Sequence, residues 1–102
     1  MLEPYEFIKG YIPIKSALKT RFEGDILVAA NKNSEVFYLN SIAGEIWNKI
    51  DGEKRIYEIC GEILSEYDAE SEQVHSDVVD LIRDFQWKKL IRLKEGEYNE
   101  KI

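Results

Sequence analysis

Histidine and cysteine are all but missing from this chain, which carries one of each, His75 and Cys60. A metal centre needs several His, Cys or carboxylate ligands at compatible spacing. These two stand fifteen residues apart and on different predicted helices. A single thiol also leaves no partner for an internal disulfide and fits a reducing compartment, so a cytoplasmic location is expected. Long apolar runs are lacking too. The longest, Ile26 to Ala30, has five residues, against the roughly twenty that a membrane-spanning helix requires. The opening Met1-Leu2-Glu3-Pro4-Tyr5-Glu6 has neither the basic start nor the apolar core of a secretion signal. Positive charge is short as well: 14 Lys and Arg face 20 Asp and Glu, for a net charge of −6. No stretch offers the many phosphate contacts that drive nucleic-acid binding. The same acidity works against anionic membranes, so neither nucleic acid nor membrane is an expected partner. Gly24, Gly44, Gly52 and Gly61 form no phosphate-cradling pattern.

What is present is the material for one domain. The chain has 102 residues, 44 % of them hydrophobic and 33 % charged, enough for a single core. Residues 1–17, with Pro4 and Pro13, read as an extended N-terminal arm, with Tyr11-Ile12-Pro13-Ile14 lying along the domain. Leu18–Phe22, Ile26–Ala30 and Glu35–Leu39 read as strands, separated by the turn signals Glu23-Gly24-Asp25 and Asn31-Lys32-Asn33-Ser34. Turns this short imply an antiparallel meander. After Asn40 the apolar period becomes helical. Ile42, Ala43, Ile46, Trp47 and Ile50 make one stripe, capped by Asn40 or Ser41 and stopped by Asp51-Gly52. Ile56, Ile59, Cys60, Ile63, Leu64 and Tyr67 make a second stripe. Val74, Val78, Leu81, Ile82 and Phe85 make a third, from about Ser71 to Lys89. Leu90-Ile91-Arg92-Leu93 reads as a short C-terminal strand, and the polar residues 96–102 as a flexible tail. The expected fold is therefore α+β: a three-stranded antiparallel meander followed by three helices, winged-helix-like, over residues 18–95.

Catalytic chemistry finds little to work with. Cys60 lies on an apolar stripe, where a thiol is core. His75, beside Val74 at the start of the third helix, reads as a surface or groove residue rather than a base. A Cys–His pair also needs an orienting third group, and the scattered carboxylates read as solvated charge. No enzyme activity and no cofactor are expected. Gly61, inside the second helix, either admits a close neighbour or is merely tolerated at about 1 kcal/mol.

Two constellations remain. The order of elements fits folds that bind DNA through their third helix. That helix, however, carries Glu70, Glu72, Asp77, Asp80 and Asp84 against Arg83 before Lys88 and Lys89. An acidic recognition helix would repel the phosphates flanking a groove. The other is the third strand. Phe37 and Leu39 alternate toward the core, and if this strand lies at the sheet edge its free N–H and C=O groups can pair with an extended peptide.

From Val36 to Ile91 the chain resembles the PqqD family, the leader-recognition modules (RiPP recognition elements) of ribosomally made, modified peptides. The resemblance is carried by Leu39-Asn40-Ser41-Ile42-Ala43-Gly44-Glu45-Ile46, by Asp51-Gly52, and by Ile56-Tyr57-Glu58-Ile59. Tyr67, Asp77-Val78, Leu81-Ile82 and the closing Leu90-Ile91 continue it. Arg55 stands where the family often has a Thr helix cap, and the first forty residues match only in pattern. The resemblance implies a non-catalytic chaperone that binds a precursor's leader segment as an added strand and presents it to a modifying enzyme. That enzyme would be a radical S-adenosylmethionine enzyme, or a leader peptidase in lasso-peptide systems. Carried onto this sequence, the docking edge would be Glu35, Val36, Phe37, Tyr38 and Leu39, and the facing wall Val74, Asp77, Val78 and Leu81. Apolar pockets beside Val36 and Tyr38 would select leader side chains, and the acidic wall at Asp77 and Asp80 predicts a basic leader residue. A winged-helix-like transcriptional regulator or protein–protein adaptor is the alternative. The exposed strand edges also allow a homodimer.

Overall fold

The computed structural model describes residues 4–95; the expected tail, 96–102, lies outside them. Along the chain run α1 (Pro4–Ile8), β1 (Ile12–Lys15), β2 (Lys19–Glu23), β3 (Ile26–Ala30) and β4 (Val36–Leu39). They are followed by α2 (Ser41–Lys49), α3 (Ile56–Glu66), α4 (Ser71–Trp87) and β5 (Ile91–Lys94). The meander and the three helices expected from the sequence are β2-β3-β4 and α2, α3 and α4. The predicted third strand and third helix are thus β4 and α4.

Glycine sets the first hairpin. Glu23 pairs with Ile26, leaving Gly24-Asp25 as a two-residue loop. Gly24 stands at φ +62°, as the first position of a primed turn requires. Pairing continues through Leu27↔Leu39 to Ala30↔Val36, giving the order β2-β3-β4. One face of this sheet carries the buried Leu27, Ala29 and Leu39 into the core. Helix α2 starts where Asn40 Oδ1 accepts the Ala43 N–H at 2.9 Å. It stops before Gly52, whose φ of +82° a side chain would strain. Asp51 reinforces that stop by accepting the N–H groups of Glu53 and Lys54 at 2.9 and 2.8 Å. These bonds hold its carboxyl below the ordinary carboxylate range. At the centre, Trp47 meets Phe85 of α4 edge to face, with ring centroids 5.4 Å apart.

The N-terminal segment departs from a plain extended arm. Tyr5 and Ile8, three residues apart, both pack on the core, a spacing that one helical face provides. Pro4 sits at the first helical position, where its missing N–H goes unneeded. The Tyr5 ring stacks on His75 of α4 with centroids 3.7 Å apart and planes 3° from parallel. Strand β1 then pairs with β5 from Ile12↔Lys94 to Lys15↔Ile91. Ser16 N–H bonds the Leu90 carbonyl at 2.9 Å, so by antiparallel alternation Ile12 and Ile14 bond β5 while the Pro13 nitrogen faces away.

The same segment completes α3. Arg55 supplies no side-chain cap; instead the Ile56 and Tyr57 N–H groups donate to the carbonyls of Tyr11 and Lys9 at 3.0 and 2.9 Å. The Glu58 carboxylate takes the Arg55 N–H at 2.8 Å, and the Arg55 guanidinium reaches the Gly10 carbonyl at 2.8 Å. Gly61, by contrast, faces open space, with nothing within 4 Å of a Cβ built there. Gly61→Ala is therefore expected to stabilise the domain by about 1 kcal/mol through helix propensity alone. A thermal melt raised by a few degrees is the check; a lowered one would mean that the helix face is occupied.

Candidate functional site

Strand β4 has β3 on one side only, at the end of its sheet. The hydrogen bond from Asn31 N–H to the Glu35 carbonyl, 3.0 Å, fixes the phase of the ladder. Bonded pairs alternate in an antiparallel sheet, so Phe37 and Leu39 exchange their bonds with Ala29 and Leu27. The N–H and C=O groups of Val36 and Tyr38 therefore point away from β3, toward the open edge. Their side chains lie on the outer face, 54 % and 67 % exposed. Phe37 and Leu39 turn inward, half-buried and buried. The Glu35 carboxylate is engaged by the Asn31 side-chain amide at 2.8 Å.

Helix α4 approaches this strand at its C-terminal end. At its end the Lys88 Nζ lies over the Phe37 ring, 5.4 Å from the centroid, held by Asp84 at 2.6 Å. Toward its start, Val74, Asp77, Val78 and Leu81 line one cavity of about 220 Å³. The other walls are Ile42, Glu45, Ile46 and Lys49 of α2, with Ile63, Tyr67 and Ala69. The four α4 residues expected at the site thus come together, but against α2 and α3 rather than against β4. Ile42, three residues beyond Leu39 and 61 % exposed, joins the strand edge to the cavity mouth. From Asp77 to Lys88 the helix rises about 16 Å, close to the span of a four- or five-residue strand.

Charge at that mouth is negative. Lys49, the cation on its wall, is paired with Glu66 at 3.0 Å and Glu62 at 3.7 Å. Asp77 accepts the Gln73 side-chain amide at 2.9 Å. Glu45 accepts the Tyr67 hydroxyl, which holds that phenol above its ordinary value. Asp80 is elsewhere: it lines a separate cavity of about 680 Å³ with Tyr5, Glu70, Glu72 and His75. Of the two aspartates expected to form an acidic wall, Asp77 alone faces the cavity.

Sequence reasoning missed Ile42, Glu45, Ile46, Ile63 and Tyr67 as cavity walls. Ile42 belongs to the α2 apolar stripe by spacing, yet it is 61 % exposed while Ala43, Ile46 and Trp47 are buried. Cys60 is buried, and desolvation pushes its thiol up to about 11, so little thiolate exists at neutral pH. Among the described residues, no group of three or more His, Cys, Asp or Glu is placed to hold a metal ion. None of their helices is long and apolar enough to cross a membrane.

A family model described as coenzyme PQQ synthesis protein D (PqqD) matches residues 17–91. The chain belongs to the PqqD family. PqqA binding proteins of Xanthomonas oryzae pv. oryzae (strain PXO99A) and Xanthomonas euvesicatoria pv. vesicatoria (strain 85-10) are each 33 % identical to it over 58 residues. Those alignments cover 57 % of this chain and 63 % of each relative, less than two thirds of the relatives' length. A solved structure, TbiB1 in complex with the TbiA(beta) leader peptide, superposes with a TM-score of 0.68 at 26 % identity. The match takes in 84 % of this PqqD-family chain and 98 % of that one.

Proposed function

We propose that this PqqD-family domain is a non-catalytic peptide chaperone. It captures the leader segment of a ribosomally synthesised precursor as a strand added to β4 and presents the rest to a modifying enzyme. The radical S-adenosylmethionine enzymes and leader peptidases are the partner classes that the family resemblance implies, and a reducing, cytoplasmic setting suits its one buried thiol. The observation that carries the reading is the β4 edge itself, with the Val36 and Tyr38 backbone groups turned outward beside an apolar cavity with an acidic mouth. Main-chain pairing supplies affinity that tolerates sequence variation, while pockets select alternate side chains. The named peptide partners of the relatives and of the TbiB1 structure support the same reading.

The test uses overlapping synthetic peptides covering any short reading frame found beside this gene, labelled with fluorescein and titrated by anisotropy. Amide shifts are followed in a ¹⁵N spectrum. Binding that moves the Val36 and Tyr38 amides supports the reading. Binding that leaves them still while moving β2, or no binding by any peptide, would overturn it.

The acidic mouth makes a narrower prediction. Asp77→Asn should weaken a leader with a basic residue at that end by about three- to tenfold at low salt, less as salt screens the pair. Asp80→Asn, on the other side of α4, should not. Equal effects of the two changes would show that only the net charge of the domain matters.

A further inference from the structure

The β4–α4 gap is useful to a peptide only if its width is fixed, and one buried side chain joins its two walls. Asn31, in the β3–β4 turn, is fully buried. Its Oδ1 accepts the N–H groups of Asn33 and Glu35 at 2.9 and 3.0 Å. Its Nδ2 donates to the Glu35 carboxylate and to the Lys88 carbonyl, both at 2.8 Å. All of these contacts except the last lie inside the turn and would serve any hairpin. The bond to Lys88 crosses 57 residues of sequence. It takes up a carbonyl at the end of α4 that the helix itself leaves without a partner.

Position gives that bond a consequence beyond the turn. Lys88 is the residue whose Nζ lies over Phe37, and Glu35 leads directly into β4. The start of the edge strand and the end of the helix beside it are thereby tied through one amide with no spare hydrogen-bonding capacity. Asn31 itself presents nothing to an incoming peptide. We propose that Asn31 is a positioning residue, which sets the gap between β4 and α4 and so the affinity for the added strand. The inference rests on the peptide-binding reading above. An untied helix end would let the gap vary, and each bound peptide would then have to order it, a cost set against affinity.

The double variant Asn31→Asp/Glu35→Gln separates the tie from the turn. The new carboxylate still accepts the Asn33 and residue-35 N–H groups, and the new amide donates to it; the Lys88 carbonyl loses its donor and meets a carboxylate oxygen in its place. It is measured against Glu35→Gln alone, with Ile59→Val as a variant that disturbs the core away from the gap. The first readout needs no peptide: the ring-current displacement of the Lys88 ε-methylene protons by Phe37, recorded well below the melting temperature. The second is affinity for the fluorescein-labelled leader peptide that binds the unchanged protein. The double variant is expected to lose the Lys88 displacement and to weaken binding about tenfold relative to Glu35→Gln, while Ile59→Val keeps the displacement. Retention of the displacement, or its loss with affinity held within twofold, would overturn the proposal. If the unchanged protein bound no leader peptide, the reading of the site would fail, and the role of Asn31 in affinity with it. The Lys88 signal would still report the tie separately.

Discussion

Tyr38→Pro is expected to abolish leader capture, by roughly a hundredfold or more, while leaving the domain folded. Proline removes the residue's N–H and places a ring where the added strand would lie. At Tyr38 that N–H points away from β3, so the β3–β4 ladder loses nothing. Edge strands accept proline on their open side, and the side chain surrendered is already 67 % exposed. The loss falls on the complex: one main-chain bond, net about 1 kcal/mol, and a peptide carbonyl left unpaired at about 1–3 kcal/mol. The neighbouring Phe37→Pro should do the opposite. There the N–H belongs to the bonded pair with Ala29, so the sheet itself should weaken, with a lowered melting temperature. Tyr38→Ala separates side chain from backbone and should cost little beyond the contact of the ring. Anisotropy titration beside a circular-dichroism melt reads all three. A Tyr38→Pro protein that bound within tenfold of the original would remove β4 from the site.

The reason this experiment could be framed from sequence, and sharpened only by structure, lies in what each carries. Alternation in Val36-Phe37-Tyr38-Leu39 shows which side chains face the core. It does not show which N–H groups face a neighbour, because that phase depends on register, which here is anchored by Asn31 and Glu35. The helices were legible because their buried faces repeat within a few residues: Asn40 caps α2 and Gly52 stops it from within the local sequence. The apolar wall of α4 was legible for the same reason, and Val74, Asp77, Val78 and Leu81 do share one cavity. What covers that cavity was not. Ile63 and Tyr67 stand on the apolar stripe of α3 and Glu45 on α2, but periodicity within one helix does not say which other helix a residue will face. Asp77 and Asp80 show the limit plainly. Three residues apart looks like one wall on paper, yet α4 is flanked by α2 on one side and α1 on the other, and the two carboxylates fall on opposite flanks. Asn31 was readable as a turn residue and unreadable as a buried one, because its partner Lys88 is distant in sequence.

A chain beginning at Ser16 should fail to fold stably, although the family match itself begins at residue 17. The segment before it fills three structural roles at once. Ile12 and Pro13 are buried, and Tyr5, Ile8 and Tyr11 pack on the main core. Each well-buried apolar side chain is worth about 1.5–3 kcal/mol, and partly buried ones less. Strand β1 is the pairing partner of β5, whose Ile91 is buried and would be left beside an open edge. The carbonyls of Lys9 and Tyr11 also occupy the first N–H groups of α3, at a helix start where Arg55 offers no side-chain cap. The summed loss is comparable to the roughly 5–15 kcal/mol by which a whole domain is stable. The shortened chain should therefore show a broad or absent thermal transition, with poor dispersion in its ¹⁵N spectrum. Ile12→Asp in the full-length chain tests the same contact without changing length, and should lower the melting temperature sharply. A truncated chain that melted cooperatively within a few degrees of the full one would make the segment an appendage. The groove would then be built by residues 16–95 alone.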